Sequence, residues 1–311
     1  MRLRRILGAA VVGAALVVQA VAPVSAGLSD ADIAFGEWWY YWDRPVARGD
    51  VKRSWVWGTP IREAPDTEPY VEGQVWPGRG TGERRVEYYD KARMEYWPGA
   101  AGHPHPDEDL WRITTGLLAT ELMTGRLQLG DDTFEQHTPS AAPVAGDPDS
   151  GDITPSYAAM GKVMGYQPIP AGWTIIQTID AHGNVGADQR FAQCGVTALD
   201  VGAPTNHTVA SVFWQWMTQE GVVFHGREGA YVTERMFPNP FYATGYPTTE
   251  AYWTRARVAG VETDVLVQCF ERRCMTYTPS NPEGWRVEMG NIGRHYYHWR
   301  YTEIPAETQE P

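Results

Sequence analysis

Residues 86–96 (VEYYDKARMEY) align without a gap on residues 267–277 (VQCFERRCMTY), and the match does not stand alone. Phe35-x-x-Trp38 corresponds to Phe213-x-x-Trp216, and Gly58-Thr59-Pro60 to Gly245-Tyr246-Pro247. Trp111-Arg112-Ile113-x-x-Gly116 corresponds to Trp285-Arg286-Val287-x-x-Gly290. The signals come in the same order in both halves, which points to an internal duplication and so to one supersecondary unit written twice. Each unit reads as helix, turn, β-hairpin, strand, helix, and the chain as an α+β protein of two such units in tandem, joined by a linker and an extra β segment.

Local chemistry supports that reading. Phe35, Trp38, Trp39 and Trp42 fall at i, i+3, i+4 and i+7, the apolar stripe of a helix, with Ser29 and Asp32 placed for a capping box and Pro45 ending the segment. Val209, Val212, Phe213, Trp216 and Met217 repeat the stripe, with Gly221 expected as its C-cap. Gly-x-Pro is a turn signal. The residues around Asp90-Lys91 and Glu271-Arg272 alternate like hairpin strands, although neither pair is a favoured two-residue turn. Leu117, Leu118 and Leu122 mark the closing helix of the first unit, which ends at Gly125. Residues 139–155, rich in Pro, Ala, Gly, Ser and Asp without periodicity, read as a linker. Trp173 to Asp180 (WTIIQTID) reads as a strand joining the second unit.

The first 26 residues have the pattern of a secretory signal peptide. Arg2, Arg4 and Arg5 precede an uncharged apolar run, and Val24-Ser25-Ala26 offers small residues for cleavage. Units are thus expected at 27–138 and 156–311. No later segment holds 18 consecutive apolar residues, so no transmembrane segment is expected in the mature chain. Cleavage would remove three arginines and take the formal charge from −12 to −15, a poor match to nucleic acid. Export permits disulfides, and three cysteines leave at least one unpaired. A two-residue hairpin turn would set Cys269 opposite Cys274, making them the favoured pair, with Cys194 free; the alternatives are two reduced, half-buried thiols or a bridge from Cys194 to either.

The second copy, with Val267-Gln-x-Phe-Glu-Arg-Arg273, Met275-Thr-Tyr-Thr-Pro-Ser-Asn-Pro282 and Trp285-Arg-Val-Glu-x-Gly-Asn-x-Gly-x-His-Tyr-Tyr297, resembles a group of uncharacterised secreted proteins of Chloroflexi-type bacteria. The first copy, with Tyr88-Tyr-Asp-Lys-Ala-Arg-Met-Glu-Tyr96 and Thr114-Thr-Gly-Leu-Leu118, is similar to their companion repeat. Gly245-Tyr246-Pro247 with its short aromatic hairpin is more faintly similar to the LGFP repeats of actinobacterial envelope proteins, although Tyr replaces Phe and the preceding leucine is absent. The first resemblance implies no activity. The second implies envelope association by fold-level analogy.

Fourteen tryptophans and sixteen tyrosines against eight phenylalanines suggest sugar binding. Trp38, Trp39, Trp42, Trp111, Trp214, Trp216 and Trp285, however, lie on repeated elements, where core packing is the simpler reading. Trp57, Trp76, Tyr246 and Trp253, at or near turns, are the candidate ligand contacts, with Glu271 and Arg272 at a hairpin tip. No nucleophile elbow, zinc-protease, phosphate-loop or dinucleotide motif occurs. Asp147-Pro-Asp149-Ser-Gly151-Asp152 begins like a calcium loop, but Ala158 stands where its last glutamate belongs. The histidines and acids at 103–109 read as an exposed insertion. No metal site and no cofactor is expected. These features favour a non-catalytic secreted or envelope-associated repeat module that binds a cell-wall glycan or other envelope polymer. The alternative is a secreted hydrolase with its site between the repeats, using residues such as Glu271, His207 or His225.

Overall fold

The computed structural model describes residues 28–73, 82–98, 106 and 109–303, so the expected signal peptide and Trp76 lie outside the described residues. It is a mixed α+β protein whose two larger sheets each contain an antiparallel hairpin, the second sheet also holding one parallel pair. The first sheet has four strands in chain order, β1 (Thr67–Pro69), β2 (Glu83–Tyr89), β3 (Ala92–Tyr96) and β4 (Ile113–Thr114). The second has six. A short pair, β5 (Gln177–Ile179) and β6 (Val185–Ala187), lies beside β9 (Tyr252–Val258), which is followed across the sheet by β10 (Val261–Cys269), β11 (Cys274–Tyr277) and β12 (Val287–Met289). Between the sheets in sequence, β7 (Glu220–His225) and β8 (Ala230–Arg235) form a separate hairpin. Among the described residues, no helix is long and apolar enough to cross a membrane.

Helix α1 (Asp30–Trp42) begins at the expected capping box, with Ser29 and Asp32 bonding reciprocally. Helix α2 (Leu118–Thr124) ends at Gly125 in the left-handed region, φ +73°. Helix α3 (Ser211–Thr218) does not end as expected. Gln219 turns extended, and Gly221 lies inside β7 rather than capping the helix. Helix α4 (Ile292–His298) leads into the last described residues.

Strand alternation divides the apolar side chains between two cores. Tyr89, Met94 and Ile113 of the first sheet share a cluster with Leu266, Phe270 and Met289 of the second, together with α1 and α3. The opposite faces, carrying Val86, Tyr88, Val265 and Val267, share another with α2 and α4. Ranges 28–138 and 156–303 therefore contribute to both cores and are not separately packed bodies. The segment 139–155 is itself packed: Ser140, Val144, Ser150 and Thr154 are buried, and Pro143 bridges to Ser156.

The aligned segments make matching bonds. Pro60 bridges Tyr89 as Pro247 bridges Phe270. Thr59 N donates to Asp90 Oδ1, and Tyr246 N to Glu271 Oε2, each at 2.9 Å. Gly58 and Gly245 both have positive φ, and a Cβ on either would strike that same acidic side chain. The turn can therefore lie flat on the hairpin tip only with glycine there. Each tip is then covered by the helix of the other range. Thr120 N donates to Glu271 O at 3.1 Å, and Arg294 N to Asp90 O at 3.2 Å.

Both hairpins turn on two residues in register. Tyr88 faces Arg93 in the first, and Cys269 faces Cys274 in the second, where the two sulfurs are bonded; Cys194 is free. The bond closes a loop so short that chain entropy assigns it about 2 kcal/mol. Replacing both cysteines with alanine should cost about that much in urea unfolding, and reduction of a Cys194→Ala protein should add two daltons to its intact mass. An unchanged mass would show that the bond does not form.

Candidate functional site

Two of the candidate rings are buried. Trp57 and Trp253 are both 0% exposed. Trp57 packs among Trp42, Tyr89 and Tyr242, and Trp253 stacks on Phe191 with centroids 4.4 Å apart while its indole N–H donates to Ile175 O. Neither presents a face to a ligand: Trp57 turns inward from its loop, and Trp253 lies within β9, paired with Leu266 and Thr178, with its ring on the core face. The remaining candidates, Tyr246, Glu271 and Arg272, come together at the second hairpin tip.

They do so beside Trp111, whose repeated position suggested core. Its ring is 46% exposed. It stands on a single helical turn, Leu110–Arg112, before β4, and rests edge-on against buried Tyr242, whose hydroxyl donates to Ile113 O at 2.7 Å. The Arg272 guanidinium lies over the Trp111 ring at 5.8 Å from its centroid and donates from Nη1 to Thr115 Oγ1 at 3.3 Å. Tyr246, 37% exposed, packs on Phe241, which packs in turn on Trp214. Of the other repeated tryptophans, Trp38, Trp42 and Trp216 are buried as expected, while Trp39, Trp214 and Trp285 are half-buried.

The tip is held rigidly. Arg272 N donates to Thr244 O and Glu271 N to Tyr246 O, both at 2.9 Å. The Glu271 carboxylate receives the Tyr246 amide, and its backbone oxygen receives both the Thr120 amide and the Thr120 hydroxyl. Two solvent-facing rings thus flank a charged pair whose backbone cannot swing away. Stacking by such rings, with hydrogen bonds from Arg272, suits a ligand with apolar faces and polar edges. Exposure in a short turn next to a cationic partner leaves no periodic signal, so Trp111 was not legible as a surface ring.

The residues considered for hydrolysis serve elsewhere. His207 Nδ1 meets the buried Glu250 at 3.0 Å and its Nε2 meets Met164 O at 3.0 Å. His225 lies between Glu228 and Glu234. In the calcium-like segment, Asp147 accepts from the amides of Ala259 and Gly260, and Asp152 pairs with Arg257. Among the described residues no group of three or more His, Cys, Asp or Glu side chains is placed to hold a metal ion.

A buried charge cluster occupies the α2/α4-facing side of the first sheet. Glu68 pairs with Arg84 at 3.2 Å and Arg93 at 3.0 Å, and accepts from the hydroxyls of Tyr88 and Tyr301. Arg84 and Arg93 also reach Glu95, and Arg300 comes within 3.6 Å of Glu68. Burial alone would raise the Glu68 carboxyl, but Arg300, Arg93 and Arg84 hold it far below the usual carboxylate range. All five charged groups are buried, which marks a structural network rather than a ligand site.

No family model matches the chain, and neither the curated proteins nor the solved structures contain a significant match to it.

Proposed function

We propose that this chain is a non-catalytic, exported repeat protein that binds a cell-envelope glycan through the aromatic tip formed by Trp111, Tyr246, Arg272 and Glu271. The observation that carries the reading is the pair of solvent-facing rings set about a rigid charged pair. The duplication reading draws support from the matching turn–hairpin bonds of the two segments. Export rests on the arginine-led apolar N-terminus, and the envelope on the resemblance of the Gly-x-Pro hairpin to LGFP repeats.

Retention on isolated cell-wall material and on a glycan panel tests the proposal. Trp111→Ala and Tyr246→Ala should each weaken retention at least tenfold, the scale of a buried aromatic contact, while leaving the unfolding midpoint close to that of the parent. Retention of the parent no greater than that of an acidic control protein would overturn it.

A further inference from the structure

The two hairpin sheets carry different side chains at equivalent positions. In the first, the register places Glu68 opposite Arg84, Tyr88 opposite Arg93, and Glu95 opposite Thr114. In the second, the same steps place Thr254 opposite Val265, Cys269 opposite Cys274, and Thr276 opposite Glu288. The space that Arg84, Arg93 and Glu95 fill in one sheet is met in the other by Val265, Cys274 and Thr276.

A cleft of about 220 Å³ lies where two of these smaller side chains, Val265 and Thr276, stand. Its floor includes Val265, Thr276 and Glu288, the segment Val144–Asp147 closes one side, and Lys91 and His295 close the others. It thus draws on both ranges of the chain and on the segment between them. The volume falls below the roughly 300–1,000 Å³ of pockets for drug-sized ligands and suits a ligand of about one ring.

The polar groups are placed for hydroxyls. The Lys91 ammonium donates to Met289 O and Asn291 Oδ1, both at 3.0 Å, and is in ion-pair contact with no carboxylate of the described residues. Two of its three N–H bonds are thereby used, and one remains. With its oxygen on Lys91, the exposed Asn291 amide keeps its N–H donors. Tyr157 is buried, with His295 Nδ1 at 3.1 Å from its hydroxyl. A buried phenol must place its proton on an acceptor, so it donates to Nδ1 and leaves the imidazole proton on Nε2. Burial, helped by Lys91, Arg294 and His298, pushes His295 down to about 4, so the ring is neutral at pH 7. On the floor the half-buried Glu288 carboxyl is an acceptor, taking the Asn281 amide at 3.4 Å, and burial raises its pKa against the opposing pull of Lys91. The Asp147 carboxylate is already committed to two backbone amides. Donors from Lys91 and Asn291 and an acceptor on Glu288 thus meet in one cleft, with Asp147 held by backbone amides. That balance favours a neutral polyol over an anion or a cation.

We infer that this cleft, bounded by Lys91, Glu288, Asn291 and His295, is a second binding site that takes a small neutral polyol, a single sugar ring being the fitting size. The site is separate from the aromatic tip and does not depend on the reading given to it.

The test is an NMR titration of the full-length chain, observing the His295 ring nitrogens, with D-glucose and N-acetyl-D-glucosamine as neutral probes and D-glucuronate and inorganic phosphate as anionic ones. A neutral sugar should shift His295 Nε2 saturably. Asn291→Leu, which installs the residue of the equivalent position Leu117 at an exposed site, and Lys91→Met should each weaken that binding at least tenfold. Trp111→Ala should leave it unchanged, so failure here and failure of wall retention are read separately. The inference is overturned if no neutral sugar gives a saturable shift, if only the anions do, or if the shift survives both cleft variants.

Discussion

Replacing Glu68 with glutamine should destabilise the protein by about 3–5 kcal/mol at pH 7, the range found when one partner of a buried ion pair is removed. Glu68 is the hub of the cluster, contacting Arg84, Arg93 and Arg300 as well as two tyrosine hydroxyls. Without it, three buried guanidinium groups share far less negative charge, and the amide cannot accept all the bonds the carboxylate does. The pH dependence has a definite sign. Because the folded carboxyl lies below its unfolded value of about 4.3, its contribution is present above that pH and is lost progressively as acid is added. Urea unfolding of parent and variant should therefore show a wide gap at pH 7 that narrows below about pH 4. A gap under 1 kcal/mol at pH 7 would mean that the cluster is solvated in solution.

Gly293→Ala should also be severe, at about 3 kcal/mol or more, even though alanine is the better helix former by about 1 kcal/mol. Gly293 lies in the first turn of α4, against the β2–β3 hairpin. A Cβ there would meet the backbone oxygens of Tyr89 and Ala92 and the Ala92 nitrogen, at distances no real Cβ occupies. Backbone atoms in a paired hairpin cannot rotate aside, so the helix would have to lift. The equivalent position in α2 is Ala119, fully buried, whose methyl is accommodated against its own surroundings. Ala119→Gly should accordingly lose about 1 kcal/mol through propensity, with a small addition for the missing methyl. Thermal and chemical unfolding of both variants would separate these outcomes. A stabilised Gly293→Ala would show that α4 does not sit on the hairpin as described.

How far the fold could be read from the chain depended on the range of each interaction. The capping box at Ser29 and Asp32, the Gly125 cap and the facing of Cys269 and Cys274 are set by neighbours in sequence, and all were legible. The Gly-x-Pro turns were legible as turns. Their seating on the hairpin tips follows only once Gly58 is seen against Asp90 and Gly245 against Glu271. Trp57 and Trp253 misled because a turn signal describes the backbone and says nothing about the direction in which the attached ring is folded. Arg84 and Arg93 gave the opposite error of omission: a charged residue in an alternating strand reads as solvent-facing, and only the buried carboxylates of Glu68 and Glu95 make its burial tolerable. The cleft beside Lys91 was not legible at all, since it is made by side chains that are smaller than their counterparts in an element far away in sequence.

The two crossed contacts between helix and hairpin tip set where this protein can be cut. The first tip is covered by a segment that lies some 200 positions downstream (Arg294 to Asp90), and the second by one about 150 positions upstream (Thr120 to Glu271). The chain is buckled crosswise, like two hands each gripping the opposite wrist. Severing it near residue 147 would leave each fragment with a loose clasp and a bare tip, and the two fragments should refold together better than either does alone.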